Sequence, residues 1–340
     1  MSFNDTDILI KDSKEELKIF KLGSGIIYQV IKKNSNEVYT DEIMKGELSF
    51  IDIYMDIDKN DNIYGIVNDK IGKICSINVE DDIKIETIFK YDYKNFYIKF
   101  PYIKNLSNEN HIIYQSINKK TPLTSNLIHI YKQNNQIFKN NIDYIPYNIM
   151  SNFEVVWKKD IPALFYFKSI KGFEELFVST FNKNYCKWSK PLKITNSKEF
   201  KIYLSALVDS NGNYHVVFAE NNDGKYYCKY LRLSLEYNNI EVLESKIIKT
   251  QTMCLFPHLI NYKNTLYIQW GEYHYIYGCK SIDLGKTWDE PTIRIKESES
   301  DFKRYMYKSN YIEEKEYKFS TVFANKENIK QGKYKIKDSF

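Results

Sequence analysis

Three acidic residues occupy matching places in a repeated segment of the chain, and they are the first candidates for chemistry. Glu220 in FAENNDG and Glu272 in QWGEYH follow predicted second strands, and Asp69 sits similarly in an earlier copy. Glycoside hydrolysis uses two carboxylates about 5 to 9 Å apart. Acids at equivalent loop positions can line a polar site on one face, or they can be solvated loop residues, and both interpretations remain open.

Aromatic and histidine side chains form the second set of candidates. Trp270 and Tyr273 lie beside the acid in QWGEYH, and aromatic residues are favoured anchors at binding surfaces. His258 follows a Phe-Pro pair on a predicted inner strand, where it can approach a central channel, whereas His111 and His215 are interpreted as packing residues of second strands. The chain contains no HExxH, GxSxG or phosphate-cradling glycine loop, so no motif supports catalysis, and neither a cofactor nor a metal site is expected.

The elements that must position these side chains repeat along the sequence. Segments that read as a second strand after a tight turn are 45 to 52 residues apart, close to the length of a four-stranded propeller blade. We therefore predict an all-β fold, a β-propeller of four-stranded antiparallel blades, with seven blades preferred and six with a split repeat as the alternative. The last copy is expected to supply strands over 305–311, 318–324 and 333–336. The seven strand centres are Ile19, Tyr64, Ile112, Leu164, His215, Tyr267 and Phe319.

Composition agrees with a β fold and excludes several classes of function. Hydrophobic residues make up 43% and aromatic residues 16% of the chain, a bias that suits pleated, half-buried surfaces. The net charge of +5 is spread along the chain and is typical of a solubilising surface, so no nucleic acid partner is expected. The five cysteines show no C-x-x-C spacing and are interpreted as reduced thiols. Without an export signal or a stretch suited to membrane insertion, we expect a cytoplasmic protein, folded as a single domain over 1–340.

One motif carries a resemblance to a known family. Residues 281–288, Ser-Ile-Asp-Leu-Gly-Lys-Thr-Trp, match S-x-D-x-G-x-T-W in full, and a degenerate copy ends at Trp188. The chain therefore resembles the sialidase-like propellers with BNR or Asp-box repeats. This resemblance implies that the motif staples the turn between third and fourth strands, on the face opposite the usual ligand site. The residues with this implied structural role are Ser281, Asp283, Gly285, Thr287 and Trp288.

The resemblance also implies where catalysis would be found. Sialidases use three arginines that clamp the substrate carboxylate, with an acid and a Tyr–Glu pair. The arginines here are Arg232, Arg294 and Arg304, expected at the end of a third strand, in an outer strand and just before a first strand, and Lys cannot reproduce a bidentate fork. We expect a non-catalytic propeller that presents one loop face to a protein or glycan partner. The alternatives are a divergent sialidase-like glycoside hydrolase and an assembly component of a larger complex.

Overall fold

The fold is an all-β, six-bladed propeller. The structure is a computed structural model that describes residues 6–32, 38–80, 82–134, 136–236, 239–250, 252–296, 302–331 and 334. Within these ranges the strands form six sheets, and consecutive strands of the chain build each four-stranded antiparallel blade.

The first three blades each contain four consecutive strands of the chain. Their second strands are largely buried, and their fourth strands are the outer edges. Blade 1 contains β1 (Asp7–Lys11), β2 (Leu17–Leu22), β3 (Gly25–Ile31) and β4 (Val38–Lys45); blade 2 contains β5 (Ile53–Ile57), β6 (Ile63–Asn68), β7 (Lys73–Val79) and β8 (Ile83–Lys90); blade 3 contains β9 (Phe96–Leu106), β10 (Glu109–Asn118), β11 (Thr124–Gln133) and β12 (Gln136–Pro146).

The second half of the chain repeats this plan, with a broken fourth strand in blade 4 and a closing segment at the end. Blade 4 contains β13 (Glu154–Lys158), β14 (Ile161–Ile170), β15 (Phe173–Asn182), β16 (Lys187–Trp188) and β17 (Leu192–Lys193); blade 5 contains β18 (Lys201–Val208), β19 (Tyr214–Asn222), β20 (Lys225–Glu236) and β21 (Asn239–Ile248); blade 6 contains β22 (Leu255–Tyr262), β23 (Thr265–Glu272), β24 (Tyr275–Ser281) and β25 (Thr292–Lys296); the closing segment contains β26 (Phe302–Ser309), a 3-10 turn (Ile312–Glu314), β27 (Tyr317–Lys318), β28 (Thr321–Asn325) and helix α1 (Lys326–Lys330).

Strand position in the blade explains the residue types. All six residues of β6 are buried. Its sequence does not alternate between apolar and polar residues, because neighbouring blades cover both of its faces. β4 is mostly exposed and carries Asp41 and Glu42, the charged composition that protects a sheet edge from further pairing. The five cysteines are free thiols, as the sequence suggested.

The preference for seven blades was wrong, and the six-bladed alternative is observed. The last repeat does not build a four-stranded blade of its own, because β26 pairs in parallel with β1, from Asp7 opposite Tyr305 to Lys11 opposite Ser309. β28 pairs with β26, so both strands extend the first sheet and close the ring. Phe319, the expected centre of a seventh second strand, lies between β27 and β28. Apart from Tyr334, the strand expected over 333–336 lies outside the described residues.

A buried chain of hydrogen bonds joins blades 3 and 4. Trp188 Nε1 donates to His129 Nδ1 over 2.9 Å, and because that nitrogen accepts, the His129 hydrogen lies on Nε2. His129 Nε2 is 3.1 Å from His111 Nδ1, and His111 Nε2 is 3.4 Å from Glu109 Oε2. Each histidine is therefore neutral with one defined tautomer, and burial lowers the pKa of His111 to about 4.

Blades 5 and 6 contain an equivalent arrangement. His215 Nδ1 is 2.7 Å from the Tyr230 hydroxyl, and His215 Nε2 is 3.1 Å from Asp209 Oδ2. The Trp288 ring of the next blade packs edge-on against Tyr230 at a centroid distance of 4.9 Å, as Trp188 packs on His129. The interpretation of His111 and His215 as packing residues of second strands is confirmed, and both histidines are also hydrogen-bonded.

Candidate functional site

The blades enclose a central channel with a volume of about 860 Å³. Its wall is formed by β5, β9, β13, β18, β22 and β26, by residues that precede β5 and β13, and by Glu314 and residues 317–321 of the closing segment. This volume lies within the range of pockets that hold small ligands. Aromatic side chains supply much of the lining, namely Phe50, Tyr54, Phe100, Tyr102, Phe153, Trp157, Tyr203, Phe256, Tyr307, Tyr317 and Phe319.

Three of these aromatic residues sit at the same irregularity in three different blades. Phe100, Tyr203 and Phe256 have φ values of 50°, 60° and 49°, and each coincides with a register shift between the first and second strands. A β-bulge places an extra residue on one strand and re-aims its side chains. A left-handed conformation at a bulky residue costs roughly 1 to 3 kcal/mol and tends to be kept at functional sites. We call these three residues the bulge cluster.

Arg304 adjoins the bulge cluster. Its guanidinium carbon is 3.8 Å from the centroid of the Phe256 ring and 5.1 Å from that of Phe50. Nε and Nη2 both donate to the hydroxyl of buried Thr6, over 3.0 and 2.7 Å. Burial lowers the pKa of Arg304 to about 10, so the group stays cationic at neutral pH. The sequence analysis predicted Arg304 just before a first strand. In the structure Arg304 lies inside β26, on the channel wall.

A second group of channel side chains contains a carboxyl, an ammonium and two phenols. The rings of Tyr54 and Tyr102 are 4.6 Å apart, and Lys308 Nζ is 5.3 Å from the centroid of the Tyr54 ring. Asn152 Nδ2 donates to Glu154 Oε1 over 2.8 Å. Burial raises the pKa of Glu154 to about 8, which leaves this carboxyl largely protonated at pH 7. We call Tyr54, Tyr102, Glu154 and Lys308 the Glu154 cluster.

Among the side chains predicted for a ligand face, His258 lines the channel. It is 2% exposed, and burial lowers its pKa to about 4, so it is neutral at physiological pH. Trp270 and Glu272 are displaced from the channel because they pack inside blade 6, at 0% and 2% exposure. Trp270 Nε1 donates to Glu272 Oε1 over 2.7 Å, and the other Glu272 oxygen accepts from the Thr252 amide over 2.8 Å.

The remaining predicted side chains lie outside the channel lining, Asp69 and Tyr273 in turns and Glu220 near the end of β19. Asp69 accepts hydrogen bonds from the Ile71 and Lys73 amides, over 2.9 and 2.8 Å, and so organises its own turn. Glu220 accepts from the Ser197 hydroxyl over 2.7 Å. Tyr273 is 67% exposed at the turn between β23 and β24. The structure therefore does not bring the three repeat-equivalent acids together around one space.

The Asp283 turn connects β24 to β25. The Asp283 carboxylate accepts from the Thr287 amide over 2.9 Å and from the Thr287 and Ser281 hydroxyls over 2.7 and 2.8 Å. These bonds outweigh desolvation and lower the pKa of Asp283 to about 2. Gly285 has φ +84°, and a Cβ there would lie 1.7 Å from the Tyr230 hydroxyl oxygen. The motif residues thus contact their own turn and the neighbouring blade.

Sequence reasoning missed the bulge cluster and the Glu154 cluster. A signal for the first was present, since Pro101 and Pro257 each follow an aromatic residue inside a predicted first strand, and proline within a sheet is confined to edges and bulges. Glu154 and Lys308 carry no comparable signal. Several strands of this chain carry Glu and Lys, and the arrangement of the six blades around one axis is what places these two side chains beside the same channel.

The described residues contain neither a metal-binding group of side chains nor a membrane-spanning helix. They bring no group of three or more His, Cys, Asp or Glu side chains into a metal-binding arrangement. None of their helical segments has the length and apolarity that crossing a bilayer requires.

The fold is shared with proteins of known structure. PL25 ulvan lyase, a polysaccharide lyase, has a TM-score of 0.61 and 9% identity over 98% of this chain and 97% of its own. The Aleuria aurantia lectin, as a mutant in complex with Fucα1-6GlcNAc, has a TM-score of 0.51 and 11% identity, covering 82% of this chain and 89% of that chain. A Penicillium chrysogenum α-L-arabinanase complexed with arabinobiose has a TM-score of 0.50 and 11% identity, covering 72% and 80%. No known protein family and no curated protein sequence matches the chain.

Proposed function

We propose that the protein binds a saccharide in its central channel. The observation that carries this proposal is the bulge cluster, three aromatic rings that line one enclosed space from three blades. Flat aromatic faces beside a few placed polar groups are typical of pockets that hold a ligand with both apolar and hydroxyl-bearing surfaces. Asn152, Ser205 and Tyr54 are residues with polar side-chain groups in the same wall.

The structural neighbours support this proposal. The lyase has also been solved bound to -[GlcA(1-4)Rha3S]-, with a TM-score of 0.56 to this chain. The lectin and the arabinanase were solved with Fucα1-6GlcNAc and arabinobiose. We further infer a distant relation to the sialidase-like propellers through the Asp283 turn, in which Ser281, Asp283, Gly285, Thr287 and Trp288 serve the fold and do not contact the ligand.

Paired tyrosine variants test where the saccharide binds. Tyr203 and Tyr273 both adopt positive φ, at 60° and 48°, but Tyr203 lines the channel and Tyr273 projects from a loop. Binding is first sought on a glycan array, and the affinity of any bound saccharide is then measured by titration calorimetry. Channel binding predicts that Y203L weakens affinity about 10-fold or more and that Y273L leaves it unchanged. The reverse pattern would place the ligand on the loop face with Tyr273.

A second candidate function is glycoside hydrolysis, and Glu154 favours it. A carboxyl with a pKa near 8 can act as a general acid at neutral pH. The other described carboxylate of the channel lining, Glu314, is engaged by Lys11 Nζ at 3.1 Å and by the Tyr307 hydroxyl at 2.8 Å. A panel of fluorogenic glycosides, run with wild type and E154Q, decides between the two functions. Turnover that E154Q abolishes would establish an enzyme, whereas binding without turnover supports a lectin-like protein.

A further inference from the structure

Arg304 is a channel cation whose charge is not balanced by its described surroundings. Its hydrogen-bond acceptor is the neutral Thr6 hydroxyl, and its closest ring is Phe256. Among the described residues, no carboxylate lies within ion-pair distance of the guanidinium. The ionisable group that acts on it most strongly is Tyr203, which is uncharged at neutral pH. Enclosing a cation in this way is unfavourable unless an anion accompanies it.

The other cation of the channel has a different environment. Lys308 interacts electrostatically with two acidic groups, Asp56 and Glu154, and it lies over the Tyr54 ring. Because Glu154 is largely protonated at pH 7, the carboxylate that Lys308 faces is that of Asp56. The contrast singles out Arg304 as the position where a ligand would supply the compensating negative charge.

The donors of Arg304 suit an oxyanion. A guanidinium carries five N–H groups in a planar fork, of which Nε–H and one hydrogen of Nη2 are directed to Thr6. Three N–H groups remain for a ligand, and the ring of Phe256 supports one face of the guanidinium plane. Tyr203 lies against Phe256, with ring centroids 4.1 Å apart, so an aromatic surface continues directly from the cation.

We propose that the channel selects acidic saccharides, with the anionic substituent bound by Arg304 and the attached sugar ring resting on Tyr203 and Phe256. The shared chemistry is an anionic oxygen group on a sugar, supplied as a uronate carboxylate or as a sulfate ester. This inference rests on the proposed saccharide function and defines its substrate class.

Matched ligands and matched arginine variants test the selectivity. Titration calorimetry compares trigalacturonate, its neutral methyl ester and a sulfated galactan trisaccharide, each with wild type, R304Q and R294Q. Arg294 is exposed on outer strand β25, so R294Q removes the same charge away from the channel. We expect wild type and R294Q to bind at least one acidic ligand about 10- to 100-fold more tightly than the methyl ester, the size of one charge-assisted contact. R304Q is expected to lose that preference while its affinity for the methyl ester stays the same.

The outcomes separate this inference from the proposed function. Equal affinity for acidic and neutral saccharides, or a preference that survives in R304Q, overturns the role of Arg304 and leaves saccharide binding intact. Preference for the uronate identifies a carboxylate, and preference for the sulfated trisaccharide identifies a sulfate ester. Thermal stabilisation by inorganic sulfate, at constant ionic strength, provides a second readout. If no saccharide binds but sulfate stabilises wild type and not R304Q, the saccharide function fails while the anion site remains.

Discussion

Replacing Trp188 by phenylalanine tests the hydrogen-bond chain between blades 3 and 4. The variant keeps an aromatic ring but removes the Nε1–H that donates to His129 Nδ1 over 2.9 Å. His129 is fully buried, so its Nδ1 would lose its partner in a place that water does not readily reach. A buried acceptor without a donor costs about 1 to 3 kcal/mol. We expect the free energy of unfolding to fall by this amount in addition to the loss from the smaller ring.

The equivalent tryptophan of blade 6 is the matched control. Trp288 is half-buried like Trp188 and packs edge-on against Tyr230, but its Nε1 makes no hydrogen bond within the described part of the chain. W288F therefore removes ring volume and an N–H that has no acceptor among the described residues, and no hydrogen bond is lost. Urea unfolding followed by far-UV circular dichroism at pH 7.5 should show W188F to be less stable than W288F by about 1 to 3 kcal/mol.

The pH dependence of this difference provides a stricter test. Burial holds the pKa of His111 at about 4 and that of His129 well below its ordinary value, 6.5. Between pH 6.5 and pH 4 these histidines bind more protons in the unfolded chain than in the folded one. Their contribution to the free energy of unfolding is therefore complete above pH 6.5 and is lost as the pH falls. For His111 the loss amounts to about 3 kcal/mol at low pH.

W188F frees His129 Nδ1 to accept a proton, so the stability gap between wild type and W188F should narrow as the pH falls from 7.5 to 4.5. Two tryptophan variants that are equally destabilised at pH 7.5, with gaps to wild type that do not change with pH, would refute the assigned tautomers.

Three further predictions concern other contacts. G285A should lower the free energy of unfolding by more than about 1 to 2 kcal/mol, because its backbone is left-handed and the new Cβ meets a tyrosine hydroxyl at 1.7 Å; an unchanged urea midpoint would contradict this. K201M removes the fully buried ammonium 3.4 Å from Glu175 and leaves that carboxylate with the more distant Lys193, at 3.8 Å, so it should cost about 3 kcal/mol. K263M, which breaks an exposed pair with Glu316, should cost far less by the same measurement. Ionisation of Glu154 near pH 8 adds a negative charge to the channel, so calorimetry at pH 7 and 9 should show weaker binding of an acidic saccharide at pH 9 in wild type but not in E154Q.

The sequence alone was sufficient to locate the second strand of each of the six blades. Ile19, Tyr64, Ile112, Leu164, His215 and Tyr267 lie in β2, β6, β10, β14, β19 and β23, the second strands of the six blades. Strand formation depends on apolar runs bounded by turn residues, and both are encoded within a few neighbouring positions. For the same reason, the packing positions of His111 and His215 in second strands were predictable.

Closure of the ring was decided by the tertiary structure. The parallel pairing of β1 with β26 joins residues about 300 positions apart in sequence, and no local pattern reports it. A last repeat with apolar runs can build a separate blade or extend the first sheet. Which of the two forms depends on whether the edge of the first sheet is free to pair when the ring closes. The sequence does not contain that information, so the preference for seven blades was wrong.

The candidate site also depended on the tertiary structure. Side chains in a strand alternate between two faces, and a bulge shifts that alternation by one residue. Trp270 and Glu272 consequently point into blade 6, whereas Tyr203, Phe256 and Arg304 point into the channel. The sequence determined which residues form strands. The direction of each side chain, and therefore the chemistry of the channel, followed from how the six blades pack around a common axis.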